Sequence, residues 1–258
     1  MKQFAIITGA SRGLGRVFAT EMAKLKHNLI LISLPNEGLS AFSSELHAAY
    51  GVDIVNYEID LSNKEIVCAT AQDINEKYQV FFLINNAGIG GTKDITKIDL
   101  GYIHKIIELN VLGTTTLIHQ LLPNLMKQSK SYILNISSLA ALTPIGYKTV
   151  YPASKAFIHH FSLGLRQELK TTSVSVSVVH PGAMATNPDV TKRMEEQGVL
   201  GKLTQLNIEK VAKKCIHQTL HGKRVIVVNR ISWTLMYMLP TRMWTHLITK
   251  GVKKEINM

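Results

Sequence analysis

Cysteine is nearly absent from this 258-residue chain, with Cys68 and Cys215 its only two. One pair cannot staple a chain of this length. A disulfide scaffold is therefore excluded, and the thiols point to a reducing, cytoplasmic setting. Seven prolines and 17 glycines are ordinary numbers and exclude collagen-like and low-complexity architectures. Charge is scarce, at 18% of residues against 46% hydrophobic, and mean hydropathy is +0.10. A chain so balanced has enough apolar surface to fold and is not disordered. Long apolar runs are also missing. The longest candidate, 231–239, is less than half the roughly 20 residues that a spanning helix needs, and it contains Ser232 and Thr234. The chain opens on strand-like sequence at 2–8, without the charged start, apolar stretch and small-residue site of a secretory leader.

Acidic residues are the other shortage: 18 Asp and Glu stand against 29 Lys and Arg, a formal charge of +11. From His221 onward, seven basic residues meet one acid, Glu255, and this segment alone carries +6. Such a balance suits nucleic acid, an anionic membrane surface or a phosphorylated ligand. Nucleic acid would want basic residues interleaved with aromatics over a broad face, and no such run exists, so no nucleic-acid partner is expected.

What the sequence does contain is alternation. Short apolar runs at 4–8, 28–33, 52–58, 80–85, 132–137, 174–180 and 224–228 read as strands. They lack strict alternation, as strands covered on both faces do. Amphipathic stretches at 14–26, 39–49, 64–77, 100–126, 154–170 and 208–221 read as helices. Ser62 with Glu65 forms a capping-box pattern, and Gly222 follows His221 as a helix stop. The pattern predicts an α/β fold with a doubly wound, mostly parallel sheet of about seven strands and helices on both faces. No linker, repeat or charge block divides the chain, which reads as one domain over 1–258 with an apolar and basic extension at about 229–258.

The first strand runs into Thr8-Gly-Ala-Ser-Arg-Gly-Leu-Gly15 and then a helix. Glycines there permit a tight turn and close approach of backbone to a pyrophosphate, while the helix N-terminus offers free N–H groups. The Gly-x-x-x-Gly-x-Gly spacing differs from the usual dinucleotide fingerprint, and a strand–helix turn alone would also explain it. Tyr151 and Lys155 lie four residues apart, hence on one helix face. A phenol of ordinary pKa about 10 is a poor acid–base at neutral pH, and a neighbouring ammonium would lower that value. Ser138 ends an apolar strand, where its hydroxyl can hold a carbonyl oxygen. Singly, each has an ordinary structural explanation: a half-buried ring, a solvated charge, a strand-end cap.

Taken in order, these pieces resemble the short-chain dehydrogenase/reductase family over nearly the whole chain. The matches are 8–15, Asp60-Leu61, Asn85-Asn86-Ala87-Gly88, Asn110, Ser137-Ser138, Tyr151-Pro-Ala-Ser-Lys155 and Pro181-Gly182-Ala-Met-Ala-Thr186. The resemblance implies a Rossmann-type oxidoreductase that interconverts a carbonyl and an alcohol by hydride transfer. Tyr151 would be the general acid/base, Lys155 would hold the nicotinamide ribose and lower the Tyr151 pKa, Ser138 would polarise the substrate oxygen, and Asn110 would keep a water in the proton relay. It further implies cofactor contacts from Gly9, Ser11, Arg12, Gly13, Leu14, Gly15, Ser33, Asp60, Leu61, Asn86, Ala87, Gly88, Pro181, Gly182 and Thr186, and a homodimer or homotetramer.

An acid at the end of the second strand would bind a ribose 2′-hydroxyl and repel a 2′-phosphate. That strand ends Leu31-Ile32-Ser33-Leu34, with no carboxylate until Glu37. Arg12 matches a basic position of NADPH-preferring relatives, whereas Leu34 stands where many of them have a second arginine. NADP(H) is favoured, with NAD(H) possible. Leu139, Ala140, Leu142, Ile145, Tyr147, Met184 and Val190 suggest an apolar substrate such as a fatty-acyl thioester or a sterol.

Cys215, His217 and His221 lie close in sequence, but lack a carboxylate partner, and no metal is expected. His159 and His160 suit packing or a subunit contact. Two rival functions are a dinucleotide-binding protein without catalysis, and a protein that acts at membrane surfaces through its basic tail. In that tail Met243, Trp244, Leu247, Ile248 and Val252 can share one helical face, with Arg242, Lys250, Lys253 and Lys254 outside it. The tail therefore either packs on the protein or makes peripheral contact with an anionic membrane.

Overall fold

The computed structural model describes residues 2–182, 207–229, 233–234, 238 and 240–256. Seven strands form one parallel sheet: β1 (Gln3–Thr8), β2 (Asn28–Ser33), β3 (Ile54–Glu58), β4 (Gln79–Asn85), β5 (Ser131–Ile136), β6 (Val174–Val179) and β7 (Val225–Ile226). Their order is β3-β2-β1-β4-β5-β6-β7, so the winding reverses between β1 and β4. In open α/β sheets that reversal leaves a crevice at the carboxyl ends of the strands, where ligands bind. Among the described residues the helices include α1 (Gly13–Lys24), α2 (Leu39–Tyr50), α3 (Lys64–Lys77), α4 (Leu100–Ile107), α5 (Thr114–Met126), α6 (Val150–Glu168), α7 (Ile208–Leu220) and α8 (Thr241–Ile256).

Strand alternation feeds both faces of the sheet. Ala5 and Ile7 join a core with Phe18, Met22, Phe42 and Ile216, from α1, α2 and α7. Phe4 and Ile6 join a second with Val67, Ile74, Leu121 and Leu125, from α3 and α5. Two apolar faces explain why the strands read as continuous apolar runs. A buried polar chain ties the sheet to α6: Asn85 Nδ2 donates to Asn135 Oδ1 (2.8 Å), Asn135 Nδ2 to Ser162 Oγ (2.9 Å), and Ser162 Oγ to the Ile158 carbonyl (2.6 Å). Cutting such a link strands buried donors, at about 1–3 kcal/mol each.

Several sequence boundaries shift. The helix expected over 100–126 is broken by a π-helical turn, Glu108–Gly113, because Gly113 packs on the Leu61 carbonyl and Asn110 turns inward to the backbone of Ile89. Asn63, rather than Ser62, caps α3: its Oδ1 accepts from Ile66 N (3.0 Å), while Ser62 turns to Asp60. Gly222 does follow α7 with φ +68°.

The extension also differs from its expected face. Trp244, Ile248 and Val252, at i, i+4 spacing, turn inward together with Thr249, whose Oγ1 accepts from Gly146 N (2.9 Å). Met243 and Leu247 lie about 100° back around the helix and are half exposed, at 50% and 53%. Among the described residues no helix is long and apolar enough to cross a membrane.

Candidate active site

β1 ends at Thr8, whose hydroxyl accepts from the backbone N–H of Asn86 and Ala87 (2.9 Å each). Asn86 Nδ2 donates to the carbonyls of Thr8 (3.0 Å) and Gly9 (3.3 Å). These four bonds fix the turn between β1 and α1 against the end of β4. Gly15 must lack a side chain there, because a Cβ would run into the Gly9 carbonyl. Arg12 precedes α1 without a side-chain cap, so the first-turn N–H groups and the positive end of the helix remain available to an anion. Uncapped donors, a tight glycine turn and an open crevice fit the pyrophosphate of a dinucleotide.

A cavity of about 960 Å³ runs along the carboxyl edge of the sheet. Gly9, Ser11, Arg12, Gly13, Leu14, Ser33, Asp60, Leu61, Asn86, Ala87 and Gly88 line it, as do Ser138, Tyr151, Lys155, Pro181 and Gly182. Of the residues singled out in the sequence, Gly15 and Asn110 stand behind its wall, and Thr186 lies outside the described residues. Asp60 Oδ1 accepts from Ser62 N (2.9 Å) and Ser62 Oγ (2.7 Å). Leu139, Ala140 and Ile145 form apolar wall, Tyr147 lines an adjoining groove, and Met184 and Val190 lie outside the described residues.

α6 begins at Val150, one residue before Tyr151, so Tyr151 and Lys155 stand on successive turns. Ser138 caps a short 3₁₀ turn, Leu139–Leu142, accepting from Ala140 N (3.1 Å), and its hydroxyl lines the cavity with the Tyr151 phenol, close enough to hold that phenol's pKa down. Lys155, only 6% exposed, donates to the Ile136 carbonyl (2.9 Å), and Nζ lies 5.9 Å from the Tyr151 ring centre. Ser137 Oγ donates to the Lys155 carbonyl (2.8 Å), pinning α6 to the end of β5.

The electrostatics depart from the expectation that Lys155 lowers the phenol. Burial raises the Tyr151 pKa above its ordinary value, and the Ser138 hydrogen bond opposes that rise. Burial also pushes Lys155 down to about 8. Among the described residues neither group has a counter-charge that shifts it, and desolvation dominates both.

Asn110 is wholly buried in the π-helical turn. Its Oδ1 accepts from Ile89 N (2.9 Å), and its Nδ2 donates to the Ile89 carbonyl (2.8 Å) and to Ser154 Oγ (3.0 Å). It thereby joins the loop after β4 to α6 behind Lys155.

Further residues line the site without having been singled out for it, among them Gly90, Lys105, Ile248 and, beside Ser11, Glu37. Gly90 packs on the Tyr151 ring, and Ile248 reaches the cavity from α8. The signal for Gly90 was its place in the run Gly88-Ile-Gly-Gly91; Ile248 carried no local signal. Cys215 is buried in the core and its thiol is pushed up to about 12, while His217 and His221 stack on each other at the exposed end of α7. His159 packs between His160 and His180.

The family profile described as short chain dehydrogenase matches residues 3–197. A very-long-chain 3-oxoacyl-CoA reductase of Anas platyrhynchos is 30% identical over 230 residues, covering 85% of this chain and 73% of the relative. Among solved structures, a 7beta-hydroxysteroid dehydrogenase superposes with a TM-score of 0.85 at 20% identity, covering 95% of this chain and 96% of the other. A short-chain dehydrogenase from Sphingobium yanoikuyae in complex with NADPH gives 0.78 at 23% identity, over 99% and 95%. With the turn, the sheet order and the Ser138, Tyr151 and Lys155 cluster in place, this chain belongs to the short-chain dehydrogenase family, oxidoreductases of alcohol and carbonyl groups.

Proposed function

We propose that residues 1–258 act as one NADP(H)-dependent reductase of apolar carbonyl compounds, with NAD(H) as a weaker alternative cofactor. One observation carries the reading. Ser138, Tyr151 and Lys155 line the same cavity as the uncapped N-terminus of α1 and Arg12, so an acid–base group and an anion site share one crevice. Arg12 and the absence of a carboxylate at the end of β2 favour the 2′-phosphate. Asp60, Asn86, Gly88 and Lys155 would hold the adenine-to-ribose path, and Thr186 the carboxamide.

The bound nicotinamide supplies or accepts the hydride. The chain's own residues handle the proton and the orientation. Ser138 Oγ holds the substrate oxygen beside the phenol. Tyr151, its pKa raised by burial, stays protonated at neutral pH and gives its proton to the oxygen as the carbonyl becomes an alcohol. Lys155 keeps a positive charge near the developing phenolate, which stabilises it. Asn110 fixes Ile89 and Ser154, and through them the distance between the loop after β4 and α6.

Leu139, Ala140, Ile145 and Ile248 make the substrate wall apolar. With the 3-oxoacyl-CoA reductase among the relatives, a 3-oxoacyl thioester is the leading substrate class. Assaying a panel of ketones and 3-oxoacyl thioesters of rising chain length with NADPH and NADH tests the reading. Turnover fastest with NADPH and a long acyl thioester supports it; no turnover with any pair defeats it and leaves dinucleotide binding alone.

A second role is favoured by the outer face of α8. Met243 and Leu247 are half exposed beside Arg242, His246, Lys250 and Lys253, the pattern of a helix lying on an anionic interface. Membrane contact there would bring lipid-soluble substrates to Ile248. Co-sedimentation with phosphatidylserine vesicles at low salt is expected, and its absence would make α8 purely structural. Phe157, exposed and stacked on Phe161, and exposed Leu112 offer an apolar face for a homodimer or homotetramer, which sedimentation velocity would reveal.

A further inference from the structure

The loop between β2 and α2 returns Glu37 to the nucleotide turn. Asn36 has φ +63° and Gly38 φ +73°, so left-handed residues flank Glu37 on both sides. A non-glycine residue adopts that conformation rarely, and Asn is among the few that tolerate it. Asn36 N donates to Glu58 Oε2 at the end of β3 (3.3 Å), which anchors the loop to the sheet. The turn is thus held in the shape that carries Glu37 inward.

Its carboxylate lands on two side-chain donors of the nucleotide turn. Ser11 Oγ donates to Glu37 Oε2 (2.5 Å), and Arg12 Nη2 stands 3.4 Å from Oε1. Ser11, Arg12, Ser33, Leu34 and Glu37 all line one end of the cavity, beside Asp60. Leu34 brings no charge, so among the described residues that line this end Arg12 is the cation, and it already faces an anion.

A 2′-phosphate and a 2′-hydroxyl meet this arrangement differently. The phosphate is an acceptor and an anion: it needs Ser11 and Arg12, and it is repelled by the carboxylate that holds them. The hydroxyl can donate to that carboxylate without displacing it. We infer that Glu37 is a specificity-determining residue that competes with the cofactor's 2′-phosphate for Ser11 and Arg12, holding the preference for NADPH over NADH below what Arg12 alone would set. The inference rests on the reading that this cavity end takes the adenosine half of NADP(H).

Two small probes isolate the point, since adenosine 2′,5′-bisphosphate and adenosine 5′-monophosphate differ only in the 2′-phosphate. Both are titrated calorimetrically into the full-length protein and into Glu37→Gln, which keeps the side-chain shape and an acceptor for Ser11 but removes the charge. The bisphosphate is expected to bind roughly tenfold tighter to the variant, a change of one charge–charge contact near the surface, while the monophosphate changes by less than about twofold. Glu37→Asp, which withdraws the carboxylate by one methylene, should shift the bisphosphate in the same direction by less. If wild type prefers the bisphosphate and Glu37→Gln fails to widen that preference, the competitor role is wrong while the NADP(H) reading stands. If wild type and variant bind both probes alike, the 2′-phosphate site is elsewhere and both readings fall.

Discussion

Gly90 lies flat against the ring of Tyr151: a Cβ built on Gly90 would stand 2.8 Å from Tyr151 Cδ2. Real Cβ atoms do not approach so closely, so any side chain at 90 must push the ring or the loop after β4. The phenol's position over the crevice depends on that glycine.

Gly90→Ala is therefore expected to misplace the proton donor. Displacements of about an ångström at a reacting group cost up to roughly a hundredfold in rate. The variant should lose about tenfold to a hundredfold in kcat while its NADPH affinity, set at the other end of the cavity, stays within about twofold. Steady-state kinetics paired with calorimetric titration of NADPH separates the two effects. An unchanged kcat would mean that the loop yields instead of the ring.

Asn86 acts on the opposite end. Its two bonds to the Thr8 and Gly9 carbonyls hold the nucleotide turn shut against β4. Asn86→Ala should cost about 1–2 kcal/mol of stability and weaken cofactor binding several-fold. Asn86→Asp should be worse, because it sets a carboxylate against two carbonyl oxygens. Urea unfolding and cofactor titration measure both losses, and an Asp variant as stable as wild type would contradict the assignment.

His180 predicts how stability follows pH. It follows β6 almost fully buried, 4.7 Å from the His159 ring and 5.0 Å from the Trp233 ring, and among the described residues neither ring nitrogen has a hydrogen-bond partner. Burial pushes its pKa down to about 3, with His159 adding to the fall. His160 and Arg224 lower His159 in turn, and among the described residues no acid acts on either ring. Between the ordinary histidine value of about 6.5 and that lowered value, the unfolded chain binds a proton that the folded one refuses. Stability should therefore fall as pH drops below about 6.5, by up to about 1.4 kcal/mol per pH unit. His27 and His159, also lowered by burial, act with the same sign. Urea midpoints measured between about pH 7 and pH 5 should decline, and His180→Phe should flatten the slope; an equal slope in the variant would place the titrating group elsewhere.

The fold was legible because its signals are local. The inner strands are apolar runs buried on both faces, and the glycine turn announces itself within eight residues. The π-helical turn at Glu108–Gly113 was not, since the amphipathic pattern continues through it and its causes, Leu61 and Ile89, are distant in sequence. Ser138, Tyr151 and Lys155 were legible as residue types in order, but the balance of effects on their pKa values was not. A Lys four residues from a Tyr suggests mutual influence, whereas burial of both is the larger effect and is visible only in three dimensions. Glu37 was legible only as the first carboxylate after the second strand, because it lies 26 residues from Ser11 and returns to it through two left-handed residues.

Ile248 should set how long an apolar substrate the site accepts, since it enters the cavity from α8, and Thr249 beside it is tied to Gly146. Ile248→Phe is expected to raise KM for long acyl substrates by about tenfold, one or two methylenes' worth of lost burial, and to leave short ones nearly unaffected. Substrate series of rising chain length would show it. A uniform change across the series would instead indicate that α8 acts on the whole site.

Tyr151 is proposed to deliver the proton in a reaction whose hydride a nicotinamide cofactor would supply when bound. Tyr151→Phe removes the hydroxyl alone and keeps the ring that packs on Gly90. Single-turnover oxidation of NADPH by this variant, with a carbonyl substrate that the wild type reduces, should be slower by at least about a hundredfold, with the NADPH dissociation constant within about twofold of wild type. Retention of a tenth or more of the wild-type rate would contradict the account.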